Sequence, residues 1–119
     1  NDEEKLVQLQ KIDQYLMEQF SYFLDRMKSV EENGATLLDR SMLLYGCAIA
    51  DGNRHEHHNL PVLMAGRGNG TIVPGRHMKI DKGQPMSNLF LSMMDRMGVH
   101  EERIGDSTGR LEGLDSALA

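Results

Sequence analysis

Apolar side chains recur at Leu6, Leu9, Ile12, Leu16, Phe20, Phe23, Leu24 and Met27, in steps of mostly three and four, with Lys, Gln, Glu and Asp between them. That period predicts an amphipathic helix over residues 1–30. Asp2, Glu3 and Glu4 suit its start and Arg26 and Lys28 its end, because the aligned peptide dipoles leave positive charge first and negative charge last. A helix of that span is about 40 Å long. Its apolar face is expected to rest on a sheet of the same domain or on another chain.

Asn33-Gly34 ends the helical pattern with a turn signal. Two apolar runs follow, 42–50 and 60–65, each of strand length and neither alternating with polar residues. The pattern predicts two strands buried on both faces, as in a parallel or mixed sheet covered by helices. Together with the polar insert between them they form a strand, site loop and strand over residues 41–66. The glycine run at 66–70, GRGNG, has neither the GxGxxG spacing nor the Lys-Ser/Thr of a phosphate-binding loop, so a turn is the expectation. Residues 71–80 flank Pro74-Gly75 and predict a small hairpin, with a loop at 81–84 after it. A second helix is expected over 86–97, with Leu89, Phe90, Met93, Met94 and Met97 as its buried stripe and Gly98 just past its end. Residues 99–119 read as a polar, glycine-rich tail, ordered at first and fraying at its end.

At 119 residues the chain is one small domain or part of a larger one. A net charge of −5 and the lack of a basic stripe argue against nucleic acid as a partner. No apolar run approaches the ~18–20 residues of a membrane span. Cys47 is the single cysteine, so no disulfide forms within the chain. Its place in an apolar run predicts a small buried hydrophobe. The opening residues NDEEKLVQLQ lack the basic start and apolar core of a signal peptide.

The insert between the two runs concentrates Asp51, Asn53, His55, Glu56, His57, His58 and Asn59. Polar clusters at strand ends are where open α/β sheets place their sites. In an extended segment His55 and His57 point to one side and His58 to the other. Asp51, His55 and His57 are thus candidate ligands for a divalent metal such as Zn, Mn or Fe. Asn53 and His58, with Arg76 and His77 from the expected hairpin, are accessory candidates. Two other readings of the cluster stand beside this one. Its imidazoles can cap backbone groups of a polar loop, or they can do acid–base work without a metal. No GxSxG elbow marks a serine nucleophile. Asp106-Ser107-Thr108-Gly109-Arg110 offers either an anion site or a hydroxyl-capped turn.

Three runs, LLYGCAIADGNRHEHHNLPVLMAGRGNGTIVPGRHMKI, PMSNLFLSMMDRMGV and IGDSTGRLEGL, closely resemble the C-terminal third of a bacterial family of exported proteins with a domain of unknown function. The resemblance covers nearly the whole chain, as far as Leu114. It implies the C-terminal part of a larger α/β domain in a periplasmic or exported protein, whose N-terminal part would pack on the long helix. A more distant similarity is to the alkaline phosphatase superfamily, including the cofactor-independent phosphoglycerate mutases. Members end their core with a strand, an Asp-His-Gly turn, then a histidine and an apolar strand. Here Ala50-Asp51-Gly52-Asn53 closes the first run, and His55 stands before Pro61-Val62-Leu63. The similarity implies a fragment of an alkaline-phosphatase-like α/β sandwich acting on phosphate or sulfate esters. Asp51 and His55 would be metal ligands there, with His57 as the alternative register. Gly52 departs from the pattern, since it stands where the superfamily has its second ligand of the turn. That departure implies a second possibility, a non-catalytic binding or structural relative that kept the fold and lost the full metal site.

Overall fold

The structure, a computed structural model, describes residues 2–80 and 83–115. The expected loop at 81–84 and the end of the expected tail lie partly outside those residues. The chain has mixed α/β content, with a long N-terminal helix, two small antiparallel sheets and a short later helix. It divides into two compact units, Asn1–Leu38 and Asp39–Ala119. Among the described residues no helix is long and apolar enough to cross a membrane.

In the first unit α1 spans Glu3–Ser29, close to the bounds its period predicts. Asp2 caps it, with Oδ1 accepting from the Lys5 amide at 3.3 Å. After Val30 the chain turns back as a hairpin of β1, Glu31–Glu32, and β2, Ala35–Thr36. Asn33 and Gly34 both have positive φ, at 52° and 78°, as the tight turn between right-twisted strands requires. β2 lies against α1, where Phe20, Leu24 and Met27 are half-buried. No residue of α1 is fully buried.

The short helix α2, Leu37–Arg40, spans the boundary of the units, and the second unit holds β3, Leu43–Gly46, and β4, Val62–Ala65. These strands pair antiparallel, Leu43 with Ala65 through Gly46 with Val62. The expectation of strands buried on both faces in a parallel or mixed sheet is thus corrected. The sheet has two strands, and no residue of either is fully buried. The first apolar run leaves the ladder at Cys47, because the Ala50 amide donates to the Glu56 carbonyl at 2.8 Å and closes a separate turn. Cys47 is exposed rather than buried, and its thiol donates to the Ile49 carbonyl at 3.0 Å.

The GRGNG run is a turn. The Gly68 amide donates to Ser41, the Asn69 amide to Asp39 and the Gly70 amide to Arg67, so these N–H groups face the chain's own carbonyls. Gly68 is required there: its φ is +50°, and a Cβ would meet Thr71 Oγ1 at 2.9 Å. The hairpin expected over 71–80 is also corrected, since no strand forms there. The Ile72 amide donates back to Arg67, and the Val73 amide reaches across to the Leu114 carbonyl at 2.9 Å.

The later helix, α3, spans Ser87–Arg96. It ends in a Schellman motif, with the Gly98 amide donating to Asp95 and the Val99 amide to Met94, and Gly98 at φ +78°. Its buried face differs from the expected stripe. Ser87, Asn88, Leu89, Leu91 and Ser92 are buried, whereas Met93 and Met94 are half-buried and Phe90 and Met97 are exposed. The reason is the chain after Arg103, which lies along α3 and satisfies its polar residues. Asn88 exchanges two hydrogen bonds with Thr108, Ser92 Oγ exchanges two with Leu111, and Ser87 Oγ donates to Asp106. Arg76 donates to the Gly113 carbonyl. Ile72, Leu89, Leu91 and Leu114 form the buried apolar core.

Candidate functional site

The histidine-rich insert is the loop from 47 to 61 that joins β3 to β4. Its neck is tight, for a Cβ on Gly46 would meet the Pro61 carbonyl at 3.2 Å. Within it Asp51 and Glu56 form an isolated antiparallel bridge around the turn at 52–55. Asp51 is well suited to hold that turn, since an aspartate side chain can accept from amides two and three residues on. Its Oδ1 accepts from the Asn53 amide at 2.9 Å and from the Arg54 amide at 3.1 Å. Arg54 stands over the turn, 3.8 Å from Asp51 Oδ2 and 3.6 Å from Glu56 Oε1. Both contacts are solvent-exposed and contribute little to stability.

The turn changes where the histidines go. His55 adopts the left-handed conformation, with φ 54°, so the extended alternation expected to align it with His57 does not hold. His57 Nδ1 lies 2.7 Å from the Ala48 carbonyl. A carbonyl only accepts, so Nδ1 carries the hydrogen, and in the neutral ring Nε2 keeps its lone pair. Asn53, His55, His57 and His58 are exposed. His77 is exposed as well, and Arg76 is engaged with Gly113. Among the described residues no three His, Cys, Asp or Glu side chains are grouped to hold a metal ion.

A second polar cluster was not singled out by the sequence. Asp95 Oδ2 accepts from Arg110 Nε at 2.7 Å, Oδ1 accepts from Nη2 at 3.1 Å, and His100 Nδ1 lies 3.1 Å from Oδ1. Arg110 Nη2 also donates to the Glu101 carbonyl at 2.7 Å. The guanidinium thus ties the chain on both sides of residue 105 to the end of α3, which argues against a free anion site at 106–110. The signal was available: Asn88, Ser92 and Asp95 follow at four and three residues and share one helix face.

The Arg110 guanidinium, and after it His100, hold the Asp95 carboxyl well below the usual carboxylate range; Asp95 in turn raises Arg110. A depressed folded value means the pair contributes at pH above the unfolded carboxyl's ~3.9. That contribution fades as the pH falls through the folded value. Solvent and salt screen an exposed pair, so the effect is best read at the carboxyl itself. Arg110→Gln is expected to return Asp95 to the ordinary carboxylate range in a carbon-detected NMR titration. An Asp95 that already titrates there in the parent would contradict the geometry.

No family model, curated protein or solved structure matches the chain.

Proposed function

We propose that the β3–β4 loop contributes a metal-ligating histidine, His57, to a hydrolase-like α/β domain that acts on phosphate or sulfate esters. The observation in its favour is the Ala48 carbonyl at His57 Nδ1. Metal-ligating histidines ordinarily give their other ring nitrogen's hydrogen to such a group, which fixes the tautomer and aims the free lone pair. His55 is the second candidate donor of the loop. Asp51 is the third, but Asn53, Arg54 and the turn already engage its carboxylate. The remaining ligands and the nucleophile would come from polypeptide outside the described residues. The metal would be a divalent ion accepted by imidazole, of the Zn, Mn or Fe kind.

That engagement of Asp51 favours a second reading, in which the loop belongs to a non-catalytic binding or structural relative. The two readings part in one experiment. Nitrogen-detected imidazole spectra of the chain are recorded while Zn²⁺ is added. The metal reading expects His57 to start in the Nδ1–H tautomer, its Nε2 resonance to move on addition, and the response to vanish in His57→Ala. Silence of all five histidines at millimolar Zn²⁺ leaves the non-catalytic reading standing.

A further inference from the structure

Two asparagines of this chain precede a glycine, Asn33 and Asn69, and so does one aspartate, Asp51. At such a step the glycine nitrogen can attack the side chain before it, because no Cβ shields the glycine amide. The structure sets the three apart. At Asn69 the attacking nitrogen is engaged, for the Gly70 amide donates to the Arg67 carbonyl at 2.9 Å. The Asn69 amide donates to Asp39 and the Gly68 amide to Ser41, so that turn is tied to the chain before β3. At Asp51 the side chain is engaged, with Oδ1 accepting from the Asn53 and Arg54 amides. Asn33 and Gly34 are both exposed. Among the described residues, neither the Asn33 side chain nor the Gly34 amide has a turn bond like those at 51 and 69. The hairpin they close has two residues in each strand, and a hairpin of that size opens at little cost.

We infer that Asn33-Gly34 is a self-modification site, at which the folded chain converts asparagine to aspartate and isoaspartate ahead of Asn69 and Asp51. When the hairpin opens, hydroxide takes the Gly34 amide proton and the nitrogen bonds to Asn33 Cγ. The Cγ–Nδ2 bond breaks, and Nδ2 leaves as ammonia with a proton from water. The resulting succinimide ring takes up one water. Attack at Cγ frees the ring nitrogen from Cγ and gives aspartate; attack at the main-chain carbonyl gives isoaspartate. The net change is one NH₂ for one OH, with water as the reactant and nothing oxidised or reduced. The two products differ in what they do to the fold. Aspartate keeps the main chain and tolerates the left-handed φ of 52° at this position. Isoaspartate routes the main chain through the side-chain carbon, which lengthens a two-residue turn that has positive φ at both positions. The pairing of Glu32 with Ala35 does not close over it, and the bond from the Leu37 amide to the Val30 carbonyl at the hairpin base goes with it. Conversion thus releases β2 from α1 in a slow, one-way step.

Ageing the whole chain in mildly alkaline buffer, followed by peptide mapping with mass spectrometry, tests this. Asn33 is expected to convert about tenfold faster than Asn69, since the Gly70 nitrogen must first give up its hydrogen bond. In urea, with the fold removed, the two steps are expected to react alike. The Leu37 amide is expected to exchange about tenfold faster or more in the isoaspartyl fraction. In Asn33→Asp, which adds the charge without the extra main-chain carbon, Leu37 is expected to exchange as in the parent. Equal rates at Asn33 and Asn69 in the folded chain, isomerisation of Asp51 ahead of Asn33, or a preference for Asn33 that persists in urea would each overturn the site. A Leu37 amide still protected in the isoaspartyl fraction, or one exposed by Asn33→Asp, would overturn its effect on the hairpin.

Discussion

Replacing Leu91 by alanine is expected to destabilise the second unit by about 2–5 kcal/mol, the usual cost of emptying a buried leucine site. Leu91 is the one large apolar side chain with no exposed surface, and only Ile72, Leu89 and Leu114 accompany it as buried hydrophobes among the described residues. A core of that size offers few neighbours that can move into the space. Domains are marginal to begin with, by about 5–15 kcal/mol, so the loss takes a large part of what holds α3 in place. Far-UV circular dichroism is the wrong probe, since α1 dominates the helical signal and lies in the other unit. Amide hydrogen exchange along α3 reads the change directly. Met97→Ala, at a side chain 72% exposed, serves as the control and is expected to change almost nothing. A Leu91→Ala chain whose α3 amides exchange as slowly as the parent's would show that the core lies elsewhere.

The two helices were legible because helices announce themselves locally. A period near 3.6, Asp2 at one start and Gly98 past one end are enough to bound α1 and α3 within a residue or two. The strands were less legible. Continuous apolar runs do not say how far a ladder extends, and the run at 42–50 contains both β3 and the exposed Cys47 that leaves it. Nor do they say which strand direction is used; a chain return through the loop at 47–61 makes the pair antiparallel. The missing hairpin at 71–80 has a tertiary cause. The Val73 amide, which a hairpin would use locally, donates to Leu114 instead, forty-odd positions away. Pairings at that distance leave no local trace in the sequence.

The site was legible in composition and not in geometry. The density of histidines marks the loop, but alternation along an extended strand was the wrong rule for residues that Asp51 folds into a turn. The Ala48 carbonyl that orients His57 is a backbone group, invisible to any reading of side-chain types. The same blindness explains α3. Asn88 and Ser92 lie outside the expected stripe, and their partners are a loop backbone and a hydroxyl on the tail.

Asn88→Ala is the second large effect, and it bears on whether the tail is part of the fold or only lies against it. Asn88 is 4% exposed, and its side chain both accepts from the Thr108 amide at 2.8 Å and donates to Thr108 Oγ1 at 3.2 Å. Alanine removes both bonds and leaves the Thr108 amide to find another partner, a cost of about 1–3 kcal/mol for a buried group. The main-chain bond from the Leu111 amide to the Asn88 carbonyl survives the substitution, as do both bonds to Ser92 Oγ. The expected signature is therefore graded along the tail. The Thr108 amide should exchange about ten- to a hundredfold faster, while Leu111 changes less. Asn88→Asp keeps an acceptor for the Thr108 amide but has no hydrogen for Thr108 Oγ1, and is expected to fall between parent and alanine. If Thr108 and Leu111 lose protection together, the tail detaches as one cooperative piece and the three polar residues of α3 act as a single latch. If neither changes, Asn88 is dispensable, and the bonds of Ser87, Ser92 and Arg76, the Arg110–Asp95 pair and the Leu114 anchor hold the tail in place.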